Sequence, residues 1–405
     1  TALCKELNDP YVKYPVIHIA GTNGKGSTAA FLARFLEASG LKTGLFTSPH
    51  LSDYRERITI NRQKIEPQFI MNFWQRMRPI ILQRKATFFD TTTAMAFDYF
   101  ARNEVDVAVI ETGLGGRLDS TNIVQPEIAV ITPIHFDHTK QLGQTLSEIA
   151  GEKAGIIKPG ADVFSARQQA ESLNVLKQHL TDGQRFFYLP DLSAVTLHSA
   201  SLDGMSFTLT DRLRSEKFDR LTTRQLGAFQ LDNLALAYQV YRKFLEHHDL
   251  SFSAERFRRA LETFLWPGRL QLVNQKPPIL FDVSHNLQGL QNTVAEVRKI
   301  ANGRTINILI GLVNDKNFNL IADFLSGQGF TLFITEPETH RRLPAEQLAD
   351  AFGALHEKVV VIKNPVEAFR HARQRLTADD LLLVTGSHYL IGELMKHNFH
   401  HQEIS

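Results

Sequence analysis

From residue 16 to about residue 135 the chain alternates short continuous apolar runs with longer stretches that are apolar only at every third or fourth position. The runs Val16 to Ala20, Thr43 to Thr47, Asp106 to Glu111 and Glu127 to Thr132 have the length and uniform apolarity of strands covered on both faces. Between the first two, Phe31, Leu32, Phe35 and Leu36 form one stripe of a helix predicted over Ser27 to Ser39, and Gly40 falls where a helix C-cap belongs. A second helix is expected from Thr145, where Thr145-Leu146-Ser147-Glu148 matches a capping box. Repeated βα units of this kind predict a parallel sheet.

The pattern changes over Arg185 to Arg224. There Met205 to Leu209 alternates apolar and polar residues behind an Asp203-Gly204 turn signal, which predicts hairpin-like β structure. Helical spacing resumes over Asn233 to Leu245 and stops at Trp266-Pro267-Gly268, a natural boundary. Beyond it a second βα series is predicted, with strands at Pro278 to Asp282, Thr305 to Gly311, Phe330 to Thr335, Val359 to Lys363 and Leu381 to Thr385. The expected fold class is therefore α/β in two parts: a parallel-sheet domain over residues 1–266, hairpin segment included, and a smaller Rossmann-like α/β domain over 270–405. The end, His397 to Ser405 with His400 and His401, reads as a frayed tail, although His397 and His401 have the spacing of helical metal ligands.

Length agrees with this division, because at about 150 residues per domain a chain of 405 implies two or three. A content of 43% hydrophobic and 22% charged residues excludes wholesale disorder and a collagen-like fibre. Lys and Arg number 45 against 43 Asp and Glu, and a formal charge of +2 is too small for a nucleic-acid-binding surface. One cysteine, Cys4, excludes an intrachain disulfide framework and a multi-thiolate zinc site. No apolar run suggests a membrane span and the residues before Gly21 lack a signal-peptide pattern, so a cytoplasmic protein without membrane or nucleic-acid partners is expected. The chain opens on Thr1 rather than Met, which leaves room for further N-terminal residues.

The candidate chemistry begins at Gly21-Thr22-Asn23-Gly24-Lys25-Gly26-Ser27, between the first strand and the first helix. Glycines let backbone N–H groups approach an anion, the helix N-terminus adds partial positive charge, and Lys25 can reach the outer phosphates. Ser27 would offer a hydroxyl to Mg²⁺. The spacing departs from the usual phosphate loop, since Gly26 intervenes before Ser27 and Ile19 replaces the first glycine, so a plain glycine-rich turn is the competing reading.

Ligands of open α/β sheets bind beyond the carboxyl ends of the strands. Here those ends carry the glycine loop, Thr47-Ser48-Pro49-His50, Glu111-Thr112-Gly113-Leu114-Gly115-Gly116 and His135-Phe136-Asp137-His138. A carboxylate at a buried strand end is costly unless paired, so Glu111 is a natural Mg²⁺ ligand, with a cap or ion pair as the alternative. His138 read alone is more readily a hydrogen-bonded structural residue than a ligand of a hard cation. No zinc-protease helix motif or serine-nucleophile elbow appears.

Together these segments resemble folylpolyglutamate synthases. The resemblance rests on Ala20 to Ser27, Thr47 to Leu51, Arg55-Glu56-Arg57-Ile58, Glu111 to Asn122, Phe136 to Thr139 and Leu142-Gly143. It continues through Gly151 to Ile156, Trp266 to Leu270 and Phe281 to Asn286, in the family's order. It implies a P-loop ATPase domain followed by a glutamate-ligase domain of the Mur-ligase superfamily, which activates a carboxylate as an acyl phosphate that an amine then attacks. By the same resemblance Lys25 and the loop from Gly21 to Ser27 hold ATP, with contacts from Asn233, Arg269 and Asp282. Ser27 and Ser48 coordinate one Mg²⁺, and Glu111 and His138 a second. Lys153 matches a lysine carbamylated in many members, and His285 and Ser387 match residues proposed to hold the incoming L-glutamate.

The pterin side, for folate or dihydropteroate, would involve Phe88-Phe89-Asp90-Thr91 and Arg117-Leu118-Asp119-Ser120. Gly115 to Ser120 follows the pattern of bifunctional members that also act as dihydrofolate synthases, with Arg117 where several tail-lengthening members differ. Asp90 stands where Glu is common, and Leu287 replaces the proline that commonly follows Asn286. A murein-precursor ligase is the nearest alternative, disfavoured because so few residues precede Gly21. A P-loop NTPase switch or an inactive nucleotide-binding scaffold would leave Glu111, His138, Arg269 and Asp282 without a joint role. A monomer is expected, with a cleft between the two domains and a hinge around Pro267.

Overall fold

The computed structural model describes residues 2–314, 317–353 and 358–397. Its first sheet contains β1 (Val16–Ala20), β2 (Thr43–Phe46), β3 (Ile58–Ile60), β4 (Gln63–Lys64), β5 (Val107–Glu111), β6 (Ile128–Ile131), β7 (Asp162–Ser165) and β8 (Phe186–Tyr188), in the order β4-β3-β2-β5-β1-β6-β7-β8. From β2 to β8 all neighbours are parallel, while β3 and β4 form an antiparallel margin. The four strands expected here are all present. The chain leaves β1 toward β2 and β5 and then crosses to β6 on the other side, so the topological switch lies at the end of β1.

Each face of β1 is covered by different helices. Ile17 and Ile19 pack with Phe31 and Phe35 of the helix Lys25–Ala38 and Tyr241 of the helix Phe229–His247. Val16, on the other face, packs with Phe97 and Phe100 of the helix Phe88–Arg102. The expected cap at Thr145 is observed: its hydroxyl accepts from the Glu148 amide and the Glu148 carboxylate accepts from the Thr145 amide, opening the helix Leu146–Ala154.

The segment expected to be hairpin-like divides in two. Phe186 to Tyr188 joins the first sheet as β8, because its ring-rich strand stacks Phe187 on Phe164 of β7 with centroids 4.5 Å apart. The remainder forms an antiparallel meander of β9 (Ser193–Ser201), β10 (Gly204–Asp211) and β11 (Glu216–Thr223), with Gly204 at the expected turn.

After the Trp266-Pro267-Gly268 break, β12 (Gln271–Gln275), β13 (Pro278–Phe281), β14 (Thr305–Ile310), β15 (Thr331–Ile334), β16 (Val359–Val361) and β17 (Asp380–Thr385) form a second sheet in the order β12-β13-β17-β14-β15-β16. Five parallel strands match the expectation. The sixth, β12, pairs antiparallel at the edge, where one exposed side leaves it without a continuous apolar run. Residues 398–405, most of the expected tail, lie outside the described residues, and His397 closes the helix His388–Lys396.

The second sheet's core shares an apolar contact with the meander and the start of the helix Phe229–His247. Leu226 and Leu270 are buried in the second sheet's core, with Ala200, Leu202 and Phe229 packed against it, and the Ala228 amide donates to Glu296 at 2.8 Å. No helix among the described residues is long and apolar enough to cross a membrane.

Candidate functional site

β1 is buried end to end and delivers the glycine loop to the switch point. A Cβ on Gly21 would lie 1.9 Å from Thr132 Oγ1, so only glycine passes between the ends of β1 and β6. The Thr22 and Asn23 amides donate to the Pro133 carbonyl at 2.9 and 3.3 Å, pinning the loop to the chain leaving β6. Gly24, at φ 88°, caps a helix that begins at Lys25, two residues before the expected start. The amides of Lys25, Gly26 and Ser27 therefore form the open first turn, where partial positive charge favours an anion. The Lys25 ammonium donates to the Thr22 carbonyl at 3.3 Å and so lies over the loop.

Glu111 ends β5 with only 3% of its surface exposed. Burial pushes its carboxyl above the ordinary range, opposed by Lys25, the Ser48 amide that donates to Oε2 at 3.0 Å, Arg269 and Arg57. A Cβ on Gly26 would sit 3.5 Å from Glu111 Oε2, so the carboxylate faces the first helical turn next to Ser27. Glu111 with the hydroxyls of Ser27 and Ser48 is a hard-oxygen set that fits Mg²⁺ together with phosphate oxygens. Glu111, Ser48 and His138 line one cavity of about 140 Å³, with His138 in the left-handed region at φ 50°. Among the described residues no three His, Cys, Asp or Glu side chains cluster as a metal cage, so phosphate and hydroxyl oxygens must supply part of any coordination shell.

Lys153 is buried in the helix Leu146–Ala154 and donates to the Gly21 carbonyl at 2.9 Å. Burial, then the charge of Lys25, lower its pKa to about 7 against the pull of Asp137 and Asp119. A lysine held this way carries a substantial share of uncharged, nucleophilic amine at neutral pH.

The two segments expected to meet the pterin touch each other. Ser120 donates to Asp90 at 2.7 Å, and Phe89 covers Gly113, where a Cβ would approach its ring to 2.4 Å. Phe88, Leu114 and Leu118 remain exposed large apolar side chains, and Thr91 donates back to the Thr87 carbonyl at 2.9 Å. Arg117 pairs with Glu152 at 2.7 Å. The patch meets the small cavity through Gly113 and Leu114.

Comparison with known proteins follows the same division. The Mur ligase middle domain family matches residues 19–241, and the Mur ligase glutamate ligase domain family matches residues 268–388. The dihydrofolate synthase/folylpolyglutamate synthase of Bacillus subtilis is 32% identical over 403 residues, covering 97% of this chain and 93% of the relative. The chain belongs to the folylpolyglutamate synthase and dihydrofolate synthase family of Mur ligases. Mycobacterium tuberculosis folylpolyglutamate synthase complexed with ADP and AMPPCP superposes with a TM-score of 0.88 at 28% identity, covering 98% of this chain and 94% of that one. An FPGS–AMPPCP–folate complex gives 0.81 at 28% identity, covering 98% and 93%.

In this folylpolyglutamate synthase family member, the residues expected to contact ATP and glutamate separate into two groups. Arg269 and His285 line the small cavity, and burial lowers the Arg269 pKa against the pull of Asp282 and Glu111. Asn233 backs the loop, since a Cβ on Gly24 would lie 2.4 Å from its Oδ1.

Three of the residues expected to contact ligands also hold the backbone around them. The Asp282 carboxylate accepts from the Leu270 and Ser284 amides at 2.9 and 3.0 Å and from Thr293 at 2.9 Å, which braces the linker. Ser387 accepts from the Leu390 amide at 3.1 Å as a helix cap. Asp119 accepts from the Gly113 and Leu114 amides, both at 2.9 Å. Each sits beside backbone donors of a turn or helix start, and a buried carboxylate or hydroxyl takes the nearest unsatisfied donors.

Sequence reasoning also missed residues. A second cavity of about 490 Å³ shares Gly26, Ser48, Glu111, Arg269 and His388 with the first and adds Arg34, Leu45 and Trp266. Arg57 is buried, donates to His50 Nδ1 at 2.8 Å and stacks 5.3 Å over Phe88. Trp266 and Arg57 stand inside matching motifs, but that Trp266 faces the second cavity depends on how the two parts of the chain pack together.

Proposed function

We propose that this chain joins L-glutamate to folates at the expense of ATP, through an acyl phosphate, as a folylpolyglutamate synthase that also serves as a dihydrofolate synthase. The observation that carries the reading is one cavity in which Lys25, Glu111, His138 and Lys153 from the first sheet face Arg269 and His285 from beyond the linker. The activities for which the relatives are named and the AMPPCP and folate complexes of structural neighbours support it. We divide the chain into an ATPase domain, residues 1–266, and a glutamate-ligase domain, residues 270–405, and place it in the cytosol as a monomer.

The chemistry follows from charge. A carboxylate and a triphosphate repel each other, so the helix N-terminus, Lys25 and Arg269 must stabilise negative charge as a substrate carboxylate oxygen attacks the γ-phosphorus and ADP leaves. Bound Mg²⁺, held by Ser27, Ser48, Glu111 and His138, would supply further charge neutralisation at the phosphates. The glutamate amine then attacks the acyl carbon, loses a proton and expels phosphate. His285, on the cavity wall, positions that amine, while Ser387 fixes the helix His388–Lys396 behind it.

With its pKa lowered to about 7, Lys153 offers a share of uncharged amine that can add CO₂ and lose a proton, and a carbamate there would put an anion where the ammonium stands, in the cavity that His138 also lines. Arg117 and the exposed Leu118 hold the pterin end. ADP release with ATP, glutamate and either dihydropteroate or tetrahydrofolate tests the proposal. Glutamate-dependent release is expected with both, and release with neither overturns it.

A further inference from the structure

Asp119 organises the loop after β5, and its own partner lies deeper. His18, in the middle of β1 and fully buried, has Nε2 2.8 Å from Thr121 Oγ1, and Thr121 Oγ1 lies 2.5 Å from Asp119 Oδ1. A carboxylate only accepts, so the threonine hydroxyl donates to Asp119 and accepts from the imidazole, which fixes the proton on Nε2. Asp119 in turn accepts from the Gly113 and Leu114 amides through Oδ2 and from the Thr121 amide through Oδ1. His18 Nδ1 is buried without a hydrogen-bond partner. An orphaned nitrogen costs about 1–3 kcal/mol, which a leucine or phenylalanine would avoid, so the imidazole is there for its other nitrogen.

We propose that His18 and Thr121 are positioning residues: the relay from His18 through Thr121 to Asp119 sets the Gly113-Leu114 backbone against which the pterin end of the substrate rests. It rests on the folate reading of the site. The relay acts beyond Glu111, because Glu111 is already fixed by its pairing with Ile19, and the next amide, Thr112, donates to the Ile19 carbonyl at 2.9 Å. Gly113 and Leu114, one and two residues further on, have Asp119 as their anchor. Loss of the relay should therefore loosen the wall for the pterin and leave the phosphate loop in place.

Thr121→Val is nearly isosteric and removes both bonds, Thr121→Ser keeps them, and His18→Phe removes the imidazole. Thr121→Val is expected to raise KM for tetrahydrofolate about tenfold with KM for ATP and kcat within about twofold, and Thr121→Ser to restore wild-type values. His18→Phe should act in the same direction, and Thr121→Val keeps the test open if that variant does not fold.

Amide exchange at Gly113 and Leu114 is the second readout and needs no catalysis. It should accelerate about tenfold in Thr121→Val and not in Thr121→Ser. Unchanged exchange, or folate and ATP KM values moving together, overturns the relay. An inactive wild type with the exchange difference intact instead overturns the folate reading and leaves the relay standing.

Discussion

Lys25 and Glu111 are the residues on which the proposed chemistry depends most directly. Lys25→Met should lower kcat by about a hundredfold or more with the melting temperature little changed, measured by glutamate-dependent ADP release, because it removes charge stabilisation at the transferred phosphate. His18 supplies a pH signature independent of catalysis. Burial, then the charge of Lys158, lowers its pKa from 6.5 to about 3. Between those values the unfolded chain binds a proton that the folded protein refuses, so stability is complete above pH 6.5 and declines as the pH falls through the window. At pH 4.5 the loss reaches about 2–3 kcal/mol. Urea denaturation of wild type and His18→Gln should show the variant's acid limb flatter by that amount, and parallel limbs would show that His18 is protonated in the fold.

At the scale of elements, the junction of β1 with the helix Lys25–Ala38 carries the site, and backbone conformation there is specified by glycine. Gly24→Ala forces a side chain into φ 88° and to within 2.4 Å of Asn233 Oδ1. It should raise KM for ATP by about tenfold or more and destabilise the protein by about 1–2 kcal/mol. The capping box at Thr145 is a purely local device. Thr145→Ala should cost about 1 kcal/mol in chemical denaturation and leave nucleotide binding intact. Both features were legible in the sequence because they depend on residues adjacent in the chain. The helix start at Lys25 was placed two residues late, since the left-handed Gly24 cap, rather than the apolar stripe, ends the loop.

The whole molecule works only if two sheets present residues to one cavity. Asn286 donates across the junction to Asn23 and Asp137 at 3.2 and 3.4 Å, and Gly392 packs so closely that a Cβ would meet the Leu51 carbonyl at 2.0 Å. Gly392→Ala should wedge the helix His388–Lys396 away from Leu51, lowering kcat by about tenfold or more while KM for ATP changes less, since the phosphate loop lies wholly in the first sheet. Scattering profiles that are the same with and without ATP analogue plus folate would count against domain closure about the linker.

The sequence by itself determined the α/β class, the two series of strands, the glycine loop between β1 and its helix and the family, because buried parallel strands are continuous apolar runs and the loops beyond them are contiguous motifs. It could not determine where side chains beyond those motifs point. Asp119, Asp282 and Ser387 stand in motifs as expected ligand contacts, and that each also accepts from backbone donors is visible only once the folded loop brings those donors within reach. The cavity shared by Trp266 and Arg34 and the link from His18 to Thr121 bring together residues more than 100 positions apart in the chain. Hydrogen-bond satisfaction and packing in the assembled fold decide those, and no local pattern encodes them.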